Sequence, residues 1–376
     1  VLIALSNHSN INIKSAIHAM LNILFSQIPN ENESEQYLTT IMESLIQSTK
    51  TQLNVTKQLN LVATLSSLSH NAIVSDILHN YKEEGIKVLS QLAMNSGPKT
   101  QEYIINICSN ISSHEKGRLL ITTTEHCLNA LQYLMLHSTS TIVKSSATLT
   151  VTKLESMRKK GGFDSSTDNG LLILEQVFSN IKSNNDIMMN KGIESLGYML
   201  SNTNVKQLTC TNSKIIQNII AKTMALGNNN TNNRKTTKKQ KNITANNSSD
   251  TIGVYGLCNI YQNLTMSNFD KQKDKLKEME VTAEQWKEFE KITKMAKSES
   301  NDIQDTKELV SNRVQAICIK HNGIEAMVHL SDILVENKHK IKGHLEIAQA
   351  FCNITSVQEP VEIASLIKSK IVQCGG

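Results

Sequence analysis

The chain has 376 residues, of which only 3 are Pro, 15 are Gly and 4% are aromatic. Sandwiches, barrels and propellers need many tight turns and β-branched or aromatic cores, so this composition excludes them and favours long helices. The 39 basic and 34 acidic residues nearly balance, which is not the charge of a nucleic-acid-binding protein. No apolar run reaches the roughly 18 to 20 residues that span a bilayer, so no membrane insertion is predicted.

In chain order, the first recurring element is an apolar helical stretch that closes on a small hydroxyl residue. Its first three copies close at Ser26, Ser69 and Ser112, and a weaker copy closes at Glu155, so successive copies are 43 residues apart. Further copies close at Ser201, Thr265 and Thr355. Helical units of about this length are typical of armadillo and HEAT arrays, whose neighbouring units stack into one core. The period predicts an all-α, armadillo/HEAT-like right-handed helical solenoid, and a helical bundle with chance periodicity is the alternative.

The residues that close these stretches also predict helix boundaries. Asn precedes the closing hydroxyl in several copies, and Asn tolerates the left-handed backbone of a helix C-cap. Ser69 and Ser113 stand where the next helix would begin, and Ser is a favoured N-cap residue. We therefore expect Asn at the C-terminal caps and these two serines at N-terminal caps.

Two polar segments interrupt the array, and the first spans residues 228–250. It is rich in Asn, Ser, Thr and Lys, has almost nothing to bury and is predicted to be disordered. Its basic stretch Arg234–Lys241 is interpreted as part of a solvated loop rather than as a nuclear-import or nucleic-acid patch. The sequence thus divides into a central armadillo-like region at 1–227, this insertion, and a second armadillo-like region at 251–376.

The second interruption, Met266–Lys307, is densely charged. Apolar residues recur within it at spacings of mostly three or four, which predicts an amphipathic helix over part of its length. Trp286 is the only Trp of the chain. It either anchors a partner or docks this helix onto the solenoid, and the docking role is favoured for an aromatic on a helical stripe.

Motifs for catalysis and for cofactors do not occur in the sequence. We find no phosphate-binding Gly-rich loop, no His-Glu-x-x-His, no paired Cys-x-x-Cys and no Gly-x-Ser-x-Gly. The adjacent His126 and Cys127 point in different directions on a helix, so they cannot form a nucleophile pair locally. The sequence predicts a binding protein rather than an enzyme, without cofactor or metal. Its seven scattered Cys are typical of reduced thiols and predict a cytoplasmic location.

The C-terminal third carries motifs that resemble a known family. The run Ile252–Thr265 has a Tyr-Gly near its start and Asn-Leu-Thr at its end, and Lys271–Lys277 is a charged stretch that leads to a Leu-Lys pair. Asn322–Ser331 and Ala348–Gly376 continue the series. In order and spacing, these motifs resemble the start of the UCS domain (Unc/Cro/She) of the myosin-directed chaperones.

Two departures from the family pattern lie near the C-terminus. Cys374 stands where a Gln is usual, and Lys368–Ser369 stands where an Arg-Gly pair is usual. They point to a divergent, fungal She-like member. Because the chain begins at Val1 without a Met and stops at Gly376, we expect it to be an internal fragment that holds the central armadillo region and the start of the UCS domain.

The resemblance implies a non-enzymatic protein that binds myosin heavy-chain motor domains and helps to fold, stabilise or activate them, in support of the actin cytoskeleton. It also implies heat-shock chaperones as further partners, and it leaves self-association open. In this family the long segment after the first UCS helix borders the client groove. The resemblance therefore makes Lys273, Lys277, Trp286 and Phe289 the candidate contact residues.

The rival function comes from a different class. A generic armadillo or HEAT adaptor for transport or scaffolding would share the solenoid and lack chaperone activity. Import-type armadillo grooves present ordered ladders of Trp and Asn. A single Trp outside the repeated stretches argues against that version of the rival.

Overall fold

The fold is described from a computed structural model. The described residues are 2–28, 30–51, 55–81, 84–158, 163–226, 247–267, 305–336, 341–357 and 361–374. Every regular element within these ranges is a helix, and they contain no strand. The all-α prediction is therefore confirmed.

The chain divides into two compact units, Val1–Lys160 and Gly161–Gly376. The described helices of the first unit are α1 (Leu2–Leu5), α2 (Ile11–Ser26), α3 (Glu31–Thr51), α4 (Val55–Leu68), α5 (Ala72–Asn80), α6 (Glu84–Asn95), α7 (Pro98–Ile111), α8 (Glu115–Thr123), α9 (Glu125–His137) and α10 (Thr141–Arg158). The domain limits predicted near residues 227 and 251 rest on composition and resemblance, and they stay a prediction.

The second unit begins with α11 and contains one π-helix. Its described helices are α11 (Asp168–Ile181), α12 (Asp186–Met199), α13 (Thr203–Thr211), α14 (Ser213–Ala225), α15 (Asn247–Thr265), α16 (Lys307–Val314), the π-helix Gln315–Lys320, α17 (Gly323–Glu336), α18 (Ile341–Thr355) and α19 (Val361–Gln373). The π-helix follows α16 without a break.

Each recurring apolar stretch of the sequence is one helix, and we call these the repeat helices. They are α2, α4, α7 and α10 in the first unit, and α12, α15 and α18 in the second. In the first unit each repeat helix contacts the next, and in the second α12 contacts α15 and α15 contacts α18. Leu65, Ile105 and Leu257 are buried because an inner repeat helix has neighbours on two sides. The stacking confirms the helical solenoid within each unit.

The closing hydroxyls of the repeat helices satisfy backbone groups at the helix ends. Ser26, Ser69 and Ser112 donate from Oγ to the carbonyl oxygen three residues earlier, at 2.7, 2.7 and 2.6 Å. Thr265 and Thr355 also donate to the carbonyl three residues earlier, at 3.2 and 3.0 Å, besides the one four residues earlier, at 2.8 and 3.0 Å. The last four carbonyls of a helix have no partner within it, so a short hydroxyl at this position is stabilising.

The predicted cap roles are wrong. The N-caps of α5 and α8 are Asn71 and His114, not Ser69 and Ser113. Asn is instead the N-cap of four other helices. The side chains of these residues accept hydrogen bonds from backbone N–H groups of the first turn; they are Asn10, Asn185, Asn202 and Asn212. Only Asn322 has a positive φ, of 57°, among the non-Gly residues in the described ranges. At these four positions Asn acts through its side-chain oxygen, which accepts the free N–H groups of the first turn, and not through a left-handed backbone.

The end of the segment predicted to be disordered is helical. Helix α15 begins at Asn247, so the last four residues of 228–250 are helical. The helix already buries Val254 and Leu257, and adding residues to an existing helix requires no new nucleus. Residues 228–246 lie outside the described residues.

Candidate partner-binding surface

The four predicted contact residues, Lys273, Lys277, Trp286 and Phe289, lie outside the described residues. So does most of the segment Met266–Lys307 that contains them. The two ends of that segment are described, and they meet at one buried group of charged side chains. The described part of the surface therefore consists of these two ends and the repeat helices beside them.

We call Lys206, Asp305 and Arg313 the charged cluster. Lys206 Nζ lies 3.1 Å from Asp305 Oδ2, and Arg313 Nη1 lies 2.6 Å from Asp305 Oδ1. The side chains of Lys206, Asp305 and Arg313 are only 1%, 5% and 0% exposed. Buried charges are tolerated only when they are paired and hydrogen-bonded, and each member of this cluster is.

Both cations of the charged cluster also hold the end of α15. Lys206 Nζ donates to the carbonyl oxygen of Met266 at 2.8 Å. Arg313 Nε donates to the carbonyl oxygen of Leu264 at 3.0 Å, and its Nη2 donates to that of Met266 at 3.4 Å. These carbonyls lack partners within the helix, and the C-terminal end of a helix dipole attracts cations. The cluster therefore joins α13, α15 and α16.

Electrostatics keep the cluster ionised. Burial by itself raises the pKa of the Asp305 carboxyl, but Lys206 and Arg313 outweigh it and hold that pKa below its ordinary value of 3.8. Burial raises the pKa of the neighbouring Cys210 thiol to about 12, although both cations act in the opposite direction. At neutral pH the cluster thus carries one carboxylate between two cations, beside a neutral thiol.

A polar face lies on the three repeat helices of the second unit. Gln349 Nε2 donates to Asn353 Oδ1 at 3.0 Å on α18, and Asn353 Nδ2 donates to Thr265 Oγ1 of α15 at 3.3 Å. Tyr255 of α15 is partly exposed and hydrogen-bonds to Glu346 of α18. These contacts link the adjacent repeat helices α15 and α18, and in them partly exposed Asn353 and Tyr255 meet buried Thr265 and Glu346.

Both tyrosines of this polar face have a pKa above the ordinary value. Burial and the hydrogen bond to Glu346 raise the pKa of Tyr255 to about 12. Burial, then the charge of Glu194, then Tyr255 raise the pKa of Tyr198 on α12. A surface of neutral phenols and amides presents both donors and acceptors, which suits the backbone of a bound polypeptide.

The repeat helices of the first unit carry an equivalent set of contacts. Asn22 Nδ2 of α2 donates to Ser67 Oγ of α4 at 3.2 Å, and Asn110 Nδ2 of α7 donates to Ser69 Oγ at 2.8 Å. Lys153 Nζ of α10 donates to Ser113 Oγ at 2.8 Å. Polar side chains therefore join successive repeat helices in this unit as well.

Sequence reasoning missed all three members of the charged cluster. Lys206 and Asp305 are 99 residues apart. The one local signal is the position of Lys206 beside apolar Val205 and close to Thr209 and Cys210, all of which are buried. A Lys on the buried face of a helix indicates that an acidic partner lies nearby. Nothing in the sequence identifies Asp305 as that partner.

Within the described ranges, no group of three or more His, Cys, Asp or Glu is placed to hold a metal ion. None of the described helices combines the length and the apolar character that crossing a bilayer requires.

Comparison of the sequence with protein-family models and with curated proteins gave no match. Solved structures do match. The crystal structure of She4p is similar to this chain with a TM-score of 0.52 and 17% identity, over 97% of this chain and 47% of that one. At this identity the similarity shows the fold, a stack of helical repeats. The chain spans about half the length of the She4p structure.

Two other structures align at lower scores. An engineered protein matches with a TM-score of 0.42 and 13% identity, over 70% of this chain and 96% of its own. A structure from a study of a phosphorylation switch between cadherin and beta-catenin also scores 0.42, at 14% identity, over 100% of this chain and 63% of its own.

Proposed function

We propose that this chain is part of a non-enzymatic, UCS-type chaperone that binds myosin motor domains and keeps them folded or active in the cytoplasm. The observation that carries the proposal is the ordered set of UCS-like motifs across residues 252–376. The helical-repeat fold shared with She4p over 97% of the chain supports it, because the family resemblance implies a fold of this kind.

The physical form of the protein suits holding a client. A stack of repeat helices offers an extended surface, and the polar face of α12, α15 and α18 offers donors and acceptors along it. Binding a partly unfolded motor domain lowers the concentration of the species that aggregates, which requires affinity and no nucleotide hydrolysis. Dependence on ATP would then come from heat-shock chaperone partners.

Suppression of motor-domain aggregation tests the proposal. A purified myosin motor domain is heated alone and with an equimolar amount of this chain, and aggregation is followed by light scattering. We expect strong suppression with the myosin motor domain, and none when an inert protein of equal mass replaces the chain. An unrelated aggregation-prone protein serves as the second client and measures how specific the effect is for myosin.

The outcome separates the two functional classes. Absence of suppression at a tenfold excess of the chain would contradict the chaperone proposal and favour a generic adaptor with the same solenoid. Equal suppression of both clients would leave a holding chaperone without myosin specificity, which contradicts the myosin part of the proposal.

Substitution of Trp286 by Ala tests the predicted contact residues. A buried aromatic anchor at an interface is worth about 2 kcal/mol or more, so we expect the variant to bind the motor domain at least about tenfold more weakly. Tyr133→Ala, at an exposed aromatic of the first unit, is the matched control and should bind normally. A large fall in Tm of the Trp286 variant would instead show that Trp286 docks its own segment.

A further inference from the structure

The charged cluster stands at the two points where residues 267–304 leave and rejoin the repeat helices. Met266 follows the last residue of α15, and Asp305 precedes Thr306, the N-cap of α16. The carbonyl oxygen of Met266 and Oδ2 of Asp305 lie 2.8 and 3.1 Å from the same Lys206 Nζ. The two oxygens are therefore no more than about 6 Å apart, a gap that two or three extended residues can span.

We propose that Lys206, Asp305 and Arg313 form a clasp that fixes the end of α15 against the start of α16, and that this clasp is a main source of the stability of the second unit. Three features support the proposal. All three side chains are buried, both cations reach backbone carbonyls at the start of the insertion 267–304, and the one carboxylate lies at its end.

Arg313 has the side chain that this role requires. Its guanidinium donates to three acceptors at once, the Leu264 carbonyl, the Met266 carbonyl and the Asp305 carboxylate. A planar fork of five N–H donors can do so, whereas the ammonium of Lys is a single point charge. Arg313 belongs to α16, which contacts α15. It therefore positions both ends of the insertion from one side chain.

Lys206 supplies the second attachment from a different helix. It belongs to α13, which precedes the insertion in the chain and contacts both α15 and α16. Its ammonium accepts no hydrogen bonds, and it donates to the Met266 carbonyl and to the Asp305 carboxylate. Removing the carboxylate would leave two buried cations without their counter-charge, which is more costly than losing an exposed pair.

The first test compares one substitution at two ion pairs of the full chain. Asp305→Asn breaks the charged cluster, and Asp186→Asn breaks the Asp186–Lys222 pair of the same unit, whose Nζ–Oδ1 distance is 2.7 Å and whose aspartate is 81% exposed. We expect Asp305→Asn to lower the Tm by roughly 6 to 20 °C and Asp186→Asn by less than about 3 °C. Equal effects of the two substitutions would overturn the proposal.

The second test removes the insertion and keeps the clasp. Residues 268–304 are replaced by Gly-Ser-Gly-Ser, which spans the gap between Ser267 and Asp305. We expect a Tm within about 3 °C of the intact chain, since a shorter loop costs less entropy to close. In the shortened chain Asp305→Asn should still lower the Tm as it does in the intact chain. A shortened chain that is as unstable as the Asp305→Asn variant would overturn the proposal.

A conservative variant covers the case in which Asp305→Asn yields no folded protein. Arg313→Lys keeps the charge and loses the fork, so we expect a smaller fall in Tm and faster amide hydrogen exchange at the end of α15 and in α16, with unchanged exchange in α4 and α7. Unchanged exchange at the end of α15 would contradict the role of Arg313. None of these measurements uses a partner, so their failure is distinct from a failure of the chaperone proposal.

Discussion

Both units join their repeat helices by polar contacts of the same kind, and the second unit adds a buried charged cluster. In the first unit, neutral contacts such as Asn110 with Ser69, at 2.8 Å, link one repeat helix to the next. In the second unit, a buried carboxylate between two buried cations joins α13, α15 and α16. The chain path explains the difference. Repeats of the first unit follow one another closely, whereas residues 267–304 separate α15 from α16.

The comparison shows where charge is useful in a helical solenoid. A neutral hydrogen bond adds about 1 kcal/mol and suffices where short connections already hold neighbouring helices together. Where a long insertion separates two neighbours, their association carries a larger loop-closure entropy. A buried ion cluster specifies one arrangement strongly, because every incorrect arrangement leaves a charge unpaired.

The largest effect that we predict outside the charged cluster concerns a packing feature that both units share. A Cβ atom at Gly117 would overlap the carbonyl oxygen of Ile111, and one at Gly170 would overlap that of Asp164. We expect Gly117→Ala and Gly170→Ala each to destabilise the chain by about 3 kcal/mol, since backbone must move. Gly97→Ala, where a Cβ meets nothing within 4 Å, is the control. Urea denaturation followed by circular dichroism measures the stability of all three variants. An unchanged urea midpoint for Gly117→Ala would contradict the close approach of Gly117 to the Ile111 carbonyl.

A smaller effect separates buried from half-exposed amides. Asn202 is buried, caps α13 by accepting from Val205 N at 3.1 Å, accepts from Ser165 Oγ at 3.0 Å and donates to Phe163 O at 3.0 Å. We expect Asn202→Ala to destabilise the chain by about 2 kcal/mol. Asn110→Ala, at a half-exposed joint of the first unit, should destabilise it by about 1 kcal/mol or less. Equal urea midpoints for the two variants would contradict this ranking.

Acid should weaken the charged cluster and leave the neutral joints intact. Because the pKa of Asp305 in the folded chain lies below its ordinary 3.8, ionised Asp305 contributes stability that is complete above that value and is lost as pH falls through the folded pKa. Cys210 stays neutral throughout this range, because burial raises its pKa to about 12. The difference in urea midpoint between the intact chain and Asp305→Asn should be constant above about pH 5 and shrink below pH 4. A difference that disappears by pH 6 would contradict the ionised clasp.

The smallest predicted effect lies in the first unit. His18 Nε2 lies 2.8 Å from the carbonyl oxygen of Ser6. Burial lowers the pKa of His18 from 6.5, the bond to Ser6 partly opposes this shift, and Lys14 adds to it. A neutral His18 therefore favours the folded state above pH 6.5, and this contribution is lost as pH falls through the lower folded pKa. Titration of His18 by NMR should give a pKa below 6.5, and a value above 6.5 would be contrary to the burial of this side chain.

Local periodicity accounts for the part of the fold that the sequence predicted. Ser26, Thr265 and Thr355 each end a helix, because a hydroxyl that closes an apolar stretch satisfies the carbonyls behind it. The cap roles failed because both Ser and Asn favour helix ends, and composition does not decide which end each occupies.

The charged cluster was beyond sequence reasoning for a different reason. Lys206 lies 99 residues from Asp305, and no spacing rule relates it to Asp305 and Arg313, which are 8 residues apart, just before and within α16. In isolation each would be assigned to the solvent, where most Lys, Asp and Arg side chains lie. Only the packing of α13, α15 and α16 places the three side chains together. The four candidate contact residues remain predictions, because they lie outside the described residues.

Direct binding of a purified myosin motor domain tests the central claim most closely. A labelled motor domain is titrated with the intact chain, and with the chain in which Gly-Ser-Gly-Ser replaces residues 268–304. The proposal predicts saturable binding of the intact chain with a Kd of about 1 μM or tighter, and binding at least about tenfold weaker after the replacement. Absence of saturable binding by the intact, folded chain would contradict the proposed function.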